Sequence, residues 1–264
     1  MNILIVGSCA ENLYKLIKES TMYSKLYVTV TNLEVDLPSI EYNDFEELAY
    51  KAKKLQIDLV LVTEKEYIEN GLVDFLKSKF VNVISPNKKW FNLEASRTVA
   101  KQLLNHYSIN TSKIILAPRD FPVVIRTDSS KVNKIANSMD ELVLLMNGIA
   151  GDKYFLEEYL EGNCQKLLCL WDGACVYHFE PLLDLTEVQK DRLDLLKTKI
   201  NFMMADETPD FIGFFSIKII WSKNEWYILD FKMSFEEKII VERVKEDFLY
   251  LLNATLYQKL NELK

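Results

Sequence analysis

The sequence predicts an α/β protein in two parts, a parallel sheet flanked by helices and then an α+β unit of longer, antiparallel strands. Three observations carry this. Over residues 1 to about 90, short β-branched runs alternate with helical stretches. Ser85-Pro86-Asn87 then breaks the chain. Beyond it the strands lengthen and hairpin signals appear, Asp172-Gly173 between two apolar runs reading as a type I′ turn.

In chain order, the first part has strands at 3–6, 26–30, 57–62 and 81–84, with helices at 9–19, 44–54 and 68–79. The second helix opens at an Asn43-Asp44 cap and repeats Phe45, Leu48, Ala49 and Ala52 at helical spacing. A helix over 90–107 follows the break. Strands are then expected at 123–127, 153–158, 166–171, 175–179, 211–221 and 226–231, with helices at 187–203 and 235–263. Ile240, Val244, Phe248, Leu252, Leu256 and Leu260 recur every fourth residue in the last helix, a core-packing stripe. Residues 127–138, rich in Ser, Asn and Lys, read as a mobile loop.

Composition narrows the function. The 264 residues are 49% apolar and 27% charged, enough for one large core or two smaller ones. Seven glycines stand where average usage of about 7% would give roughly eighteen. Neither GxGxxG nor GxxxxGK[ST] occurs, so no dinucleotide fingerprint and no P-loop can be drawn. With 32 basic against 39 acidic residues, the net charge of −7 opposes nucleic-acid binding. His106 and His178 are the two histidines, and Cys9, Cys164, Cys169 and Cys175 form no CxxC pair, which argues against zinc and His-dependent triads. The three cysteines on or beside later strands read as small apolar side chains. The Val6-Gly7-Ser8-Cys9 turn is a candidate anion site at a helix start. No leader or membrane span is evident, so a cytoplasmic protein with free thiols and no membrane partner is expected.

A resemblance then builds up along the chain. Ile57-Asp58-Leu59-Val60, Asn70-Gly71-Leu72-Val73-Asp74, Ile84-Ser85-Pro86-Asn87 and Leu93-Glu94-Ala95-Ser96-Arg97 with Ala100-Lys101 fall in order. Pro122-Val123-Val124-Ile125-Arg126, Leu156 to Gly162, Gly213-Phe214 and Leu229-Asp230-Phe231 continue it. Together they resemble phosphoribosylamine–glycine ligase, an ATP-grasp enzyme of purine synthesis. The resemblance implies a Rossmann-like domain over residues 1–90 and an ATP-grasp-like domain of two lobes over 91–264, the small lobe at about 113–162. It implies ATP and magnesium as cofactors, adenine beside Glu157, Glu158, Tyr159 and Leu160, phosphates on Arg97 and Arg126 where the family has lysines, and Asp230 as a metal ligand.

The departures from the family bear on activity. Its glycine-rich phosphate loop is replaced by residues 127–135, without a glycine. Bare backbone amides approach phosphate oxygens only where Cβ atoms do not intervene. The ribose-binding carboxylate aligns with Cys164, a poor acceptor for hydroxyls. Asp230 and Lys232 project from one strand face about 7 Å apart, and Lys232 replaces a neutral oxygen ligand for magnesium. An Asp230–Lys232 ion pair is expected there, with Lys218 and Ser216 on the neighbouring strand. Ser234 replaces an arginine, and Glu236-Glu237 a Gly-Asp pair. Two readings follow: a degenerate member that has lost the ligase reaction, or an active carboxylate–amine ligase of altered substrate. A nucleotide, a protein partner or a second copy of the chain remain as partners.

Overall fold

The computed structural model describes residues 1–31, 35–128, 132–149, 151, 153–181 and 184–263. Its first sheet is parallel, with β1 (Asn2–Val6), β2 (Lys25–Val28), β3 (Leu59–Val62) and β4 (Val83–Ile84) in the order β2-β1-β3-β4. β3 is buried throughout, so it reads as a continuous apolar run rather than an alternating one. Helices α1 (Glu11–Lys18), α2 (Phe45–Lys54), α3 (Lys65–Glu69) and α4 (Leu72–Ser78) lie between the strands. Asp44 caps α2 by accepting from Glu47 N, as the sequence predicts. The single helix expected over 68–79 is divided, because Gly71 takes φ +82° and begins α4 anew.

Past the break, the helix expected over 90–107 is also two, α5 (Lys88–Ala95) and α6 (Arg97–His106). Ser96, at φ −133° and ψ 115°, is extended, and its hydroxyl caps α6 by accepting from Val99 N. A small antiparallel sheet follows, β5 (Ile114–Ile115), β6 (Val123–Thr127), β7 (Asn133–Ala136) and β8 (Tyr154–Glu158) in the order β5-β8-β6-β7, with α7 (Met139–Asn147) against it. β7 lies where the sequence reading had a mobile loop; it pairs Asn133 with Arg126 through Ala136 with Val123. Residues 129–131 of that expected loop lie outside the described residues.

The third sheet is antiparallel and longer, β9 (Cys164–Trp171), β10 (Val176–His178), β11 (Gly213–Ser222) and β12 (Glu225–Lys232) in the order β10-β9-β11-β12, with α8 (Glu187–Glu207) packed on it. The turn at Asp172-Gly173 is not the two-residue type expected. Trp171 pairs with Val176, and the buried Asp172 carboxylate organises a four-residue loop by accepting from Ala174 N, Cys175 N and Leu260 N. The expected last helix is α9 (Glu237–Arg243) and α10 (Phe248–Leu256), separated where Asp247 caps α10. Its stripe is nonetheless buried, at Ile240, Val244, Phe248, Leu252 and Leu260.

The parallel sheet and the long antiparallel sheet share their cores. Leu4 and Val60 pack in one cluster with Leu167, Ile217 and Ile228, and Ile3 and Leu61 in another with Phe214, Phe248 and Leu252. The small sheet has a separate cluster of Val123, Ile125, Ala136, Leu142, Ile149 and Leu156.

Candidate functional site

Where the small sheet meets the long one, five charged side chains converge. Arg97 and Lys101 come from successive turns of α6, Arg126 from β6, Glu157 from β8 and Asp230 from β12. Arg97, Lys101, Arg126 and Glu157 are buried, Glu157 completely. Arg97 forms an ion pair with Asp230 Oδ1, and Arg126 Nη1 reaches the same oxygen at 3.5 Å. Arg126 Nε lies 3.2 Å from Glu157 Oε2, Lys101 Nζ 3.0 Å from Glu157 Oε1, and Ser112 Oγ donates to Glu157 Oε2 at 2.6 Å. Burial holds the pKa values of Arg97 and Lys101 below their ordinary range, the neighbouring carboxylates opposing it.

The expected Asp230–Lys232 pair is not formed. Lys232 pairs with Glu94 of α5, while Asp230 is taken by the two arginines. Side chains two apart on a strand share a face but stand too far apart for direct contact, so each finds a partner arriving from another element. The sequence-predicted residues thus divide. Arg97, Arg126, Glu157 and Asp230 come together; Glu158 turns away to Lys223, 2.6 Å, and to Lys113 N, 3.0 Å. Tyr159 is half-exposed and Leu160 buried. Lys101, Ser112 and Glu94 belong to the site without having been assigned a role from sequence. The four-residue step from Arg97 to Lys101 on one helix was the available signal.

Asp128 joins the small sheet to the start of α6. Its carboxylate accepts from Thr98 N at 2.8 Å and from Ser96 Oγ, and its carbonyl accepts from Arg97 N. Burial opposes ionisation of Asp128, but these donors more than offset it and its pKa lies below the usual carboxylate value. A lowered folded pKa gives stability that is present above the unfolded value of about 3.9 and lost as pH falls through the folded one. Urea midpoints of the wild type and Asp128→Asn should therefore differ near neutrality and converge below about pH 4.

Two spaces adjoin the ion cluster. Among Arg97, Lys101, Thr111 and Asp230 the void is about 10 Å³, room for one water at most. On the other side of Asp230 a cleft of about 640 Å³ opens between α3, α5 and the long sheet, lined by Lys65, Glu94, Lys166, Lys218, Lys232 and Glu236 among others. Glu236 pairs with Lys166 and accepts from Ser216 Oγ.

These residues do not fit a magnesium ion. Asp230, Glu94 and Glu236 are each already paired with cations, and no group of three or more His, Cys, Asp or Glu among the described residues is arranged to hold a metal. A divalent ion beside two guanidiniums would meet repulsion of a few kcal/mol even at an effective dielectric near 20. Cys164, at the ribose position implied by the resemblance, is exposed at the start of β9.

The N-terminal turn is likewise filled from within. Ser8 N donates to Glu64 Oε1 at 3.2 Å and Gly7 N to Thr29 Oγ1 at 2.9 Å. A Cβ on Gly7 would lie 2.2 Å from Thr63 Oγ1. Burial raises the Cys169 thiol pKa, in keeping with a packing role.

A family model described as phosphoribosylglycinamide synthetase, N domain, matches residues 1–94. Phosphoribosylamine–glycine ligase of Fusobacterium nucleatum is 22% identical over 321 aligned positions that cover 100% of this chain and 75% of the relative. The aligned positions outnumber the residues of this chain, so the relative carries internal segments that are missing here. The crystal structure of phosphoribosylamine–glycine ligase from Thermotoga maritima superposes with a TM-score of 0.74 at 17% identity, covering 99% of this chain and 76% of that one. D-alanine–D-alanine ligase from Bacillus anthracis, solved with ATP, gives 0.61 at 15% identity, covering 99% of each. The parallel sheet is thus the Rossmann-like domain and the two antiparallel sheets are the lobes of an ATP-grasp fold. Along its whole length, and in the motif order its sequence displays, the chain is similar to phosphoribosylamine–glycine ligases and shares their ATP-grasp fold.

Proposed function

We propose that this ATP-grasp protein has lost the parental ligase reaction and acts by binding, to a small anion, a protein partner or a second copy of itself. The observation that carries this is the sharing of Asp230 Oδ1 by Arg97 and Arg126. The carboxylate aligned with a magnesium ligand, and the two cations aligned with phosphate-binding lysines, neutralise one another. Arg97 and Asp230 also line the cleft of about 640 Å³, so what opposes a magnesium-bound triphosphate there is this mutual pairing of charges and not a lack of room. Lys232, standing for a neutral metal ligand, adds positive charge to the same strand end. A cytoplasmic location belongs to this reading, and no helix among the described residues is long and apolar enough to cross a membrane.

The test is a titration of magnesium-ATP against thermal stability, paired with phosphate release in the presence of glycine and phosphoribosylamine. A ligand bound to the native state at a hundred times its Kd stabilises by about 2.7 kcal/mol. The expected result at millimolar magnesium-ATP is no such shift and no phosphate release. Magnesium-dependent release with glycine would restore the ligase reaction; release that needs a different acid or amine would support an active ligase of altered substrate.

A further inference from the structure

The helix α8 has two apolar faces. Leu193, Leu196, Ile200, Met203 and Met204 are buried in the core beneath it. On the other side Val188, Leu195 and Phe202 are exposed by 59%, 45% and 64%. These three stand seven residues apart, so they form one stripe down a helix about 30 Å long. A single exposed apolar side chain is ordinary; three in heptad register on one helix are a seam. With Val188, Leu195 and Phe202 at position a, Thr198 and Ala205 fall at d and are exposed as well. The Thr198 hydroxyl is engaged by its own helix, donating to Asp194 O at 2.8 Å.

The charges beside the stripe indicate what covers it. Glu187 and Asp194 occupy g, and Arg192 and Lys199 occupy e. In two parallel helices, g of one chain meets e of the next heptad in the other. Glu187 would then face Arg192, and Asp194 would face Lys199, each twice across a two-fold axis. In antiparallel helices e meets e and g meets g, and each of these contacts would join like charges. The face therefore complements itself in the parallel orientation. Its charged groups now hold surface partners: Glu187 pairs with Lys190, Asp194 with Lys197 and Arg192 with Glu225, and Lys199 donates to Ser108 O. Exposed contacts of this kind are weak and exchange readily. Asp191 opposes the pairing, since at d it would meet its own copy. We propose that the outer face of α8 is a self-association surface, pairing in parallel and in register with α8 of a second copy of this chain. The proposal rests on the binding reading above only in its choice of partner. Molecular mass tests it, whereas phosphate release tests the loss of the ligase reaction.

Sedimentation velocity of the full chain, from micromolar to millimolar concentration, should show a monomer–dimer equilibrium. Leu195→Glu, with its fold checked by circular dichroism, should raise the dimer dissociation constant at least about tenfold. Asp191→Leu should lower it. Arg192→Glu with Lys199→Glu makes both flanks acidic, and Glu187→Lys with Asp194→Lys makes both basic. Each double variant alone should be monomeric, and their equimolar mixture should dimerise. In a Cys164→Ser background, Val188→Cys should form a disulfide dimer with itself under oxidised glutathione. Crosslinking only on mixing with Phe202→Cys would make the helices antiparallel and overturn the register. A monomer at every concentration leaves the face to a different chain and overturns the proposal. So does a dimer that Leu195→Glu leaves intact, whose interface lies elsewhere. Should Leu195→Glu not fold, the charge-swapped pair carries the decision, and its failure to dimerise on mixing overturns the proposal.

Discussion

Replacing Glu157 by alanine should lower stability by about 3–5 kcal/mol, the cost of leaving buried cations without their counter-charge. Lys101 and Arg126 both depend on this carboxylate, and Ser112 would lose its acceptor as well. Urea unfolding followed by tryptophan fluorescence measures it. The physical point is in the contrast. Exchanging Lys101, Arg126 and Glu157 together for apolar residues of similar volume should cost far less, since all the desolvated charge then leaves at once. The network is also incompletely bonded. Arg97 Nε, Arg126 Nε and Glu157 Oε1 are buried without a directed hydrogen bond, although the last two are within ion-pair distance of partners. Such a cluster is a costly means of holding two lobes together. A loss below about 1 kcal/mol for Glu157→Ala, the value of an exposed pair, would show that water reaches these charges.

Gly162→Ala should be the other severe substitution. A Cβ at this position would stand 2.2 Å from the Trp221 carbonyl oxygen, and the residue has φ +150°. Backbone meets backbone, so no side chain can swing aside. A strained φ alone costs of order 1–3 kcal/mol, and the clash adds displacement of the segment that carries Tyr159 and Leu160. Gly71→Ala is the matched control: φ is +82°, but nothing lies within 4 Å of the new atom. Chemical denaturation of the two variants should rank Gly162→Ala well below Gly71→Ala, and equal losses would remove the close approach to Trp221 as a constraint.

The fold was legible because its signals are periodic and local. Continuous apolar runs gave the parallel strands, and the fourfold stripe from Ile240 to Leu260 lies in the core as expected. What the sequence reading missed were interruptions set by single residues. Ser96 ends one helix and caps the next, while Asp247 caps α10 after α9 has already ended at Arg243. α7 was announced by Ser138 with Glu141, since Ser138 accepts from Glu141 N while Glu141 accepts from Asn137 N, a pattern close to a capping box. At the site, the motif order brought Arg97, Arg126, Glu157 and Asp230 to one place, but not their pairing. Partners there come from four different elements, and strand geometry along β12 alone could not show that Glu94 would reach Lys232 before Asp230 did.

The shared cores have a practical consequence. A truncated protein ending near residue 90 would keep its four parallel strands yet lose the members of both shared clusters that come from the rest of the chain, among them Ile217 and Ile228 in one and Phe248 and Leu252 in the other. Such a fragment would be sticky in water, prone to inclusion bodies when made alone.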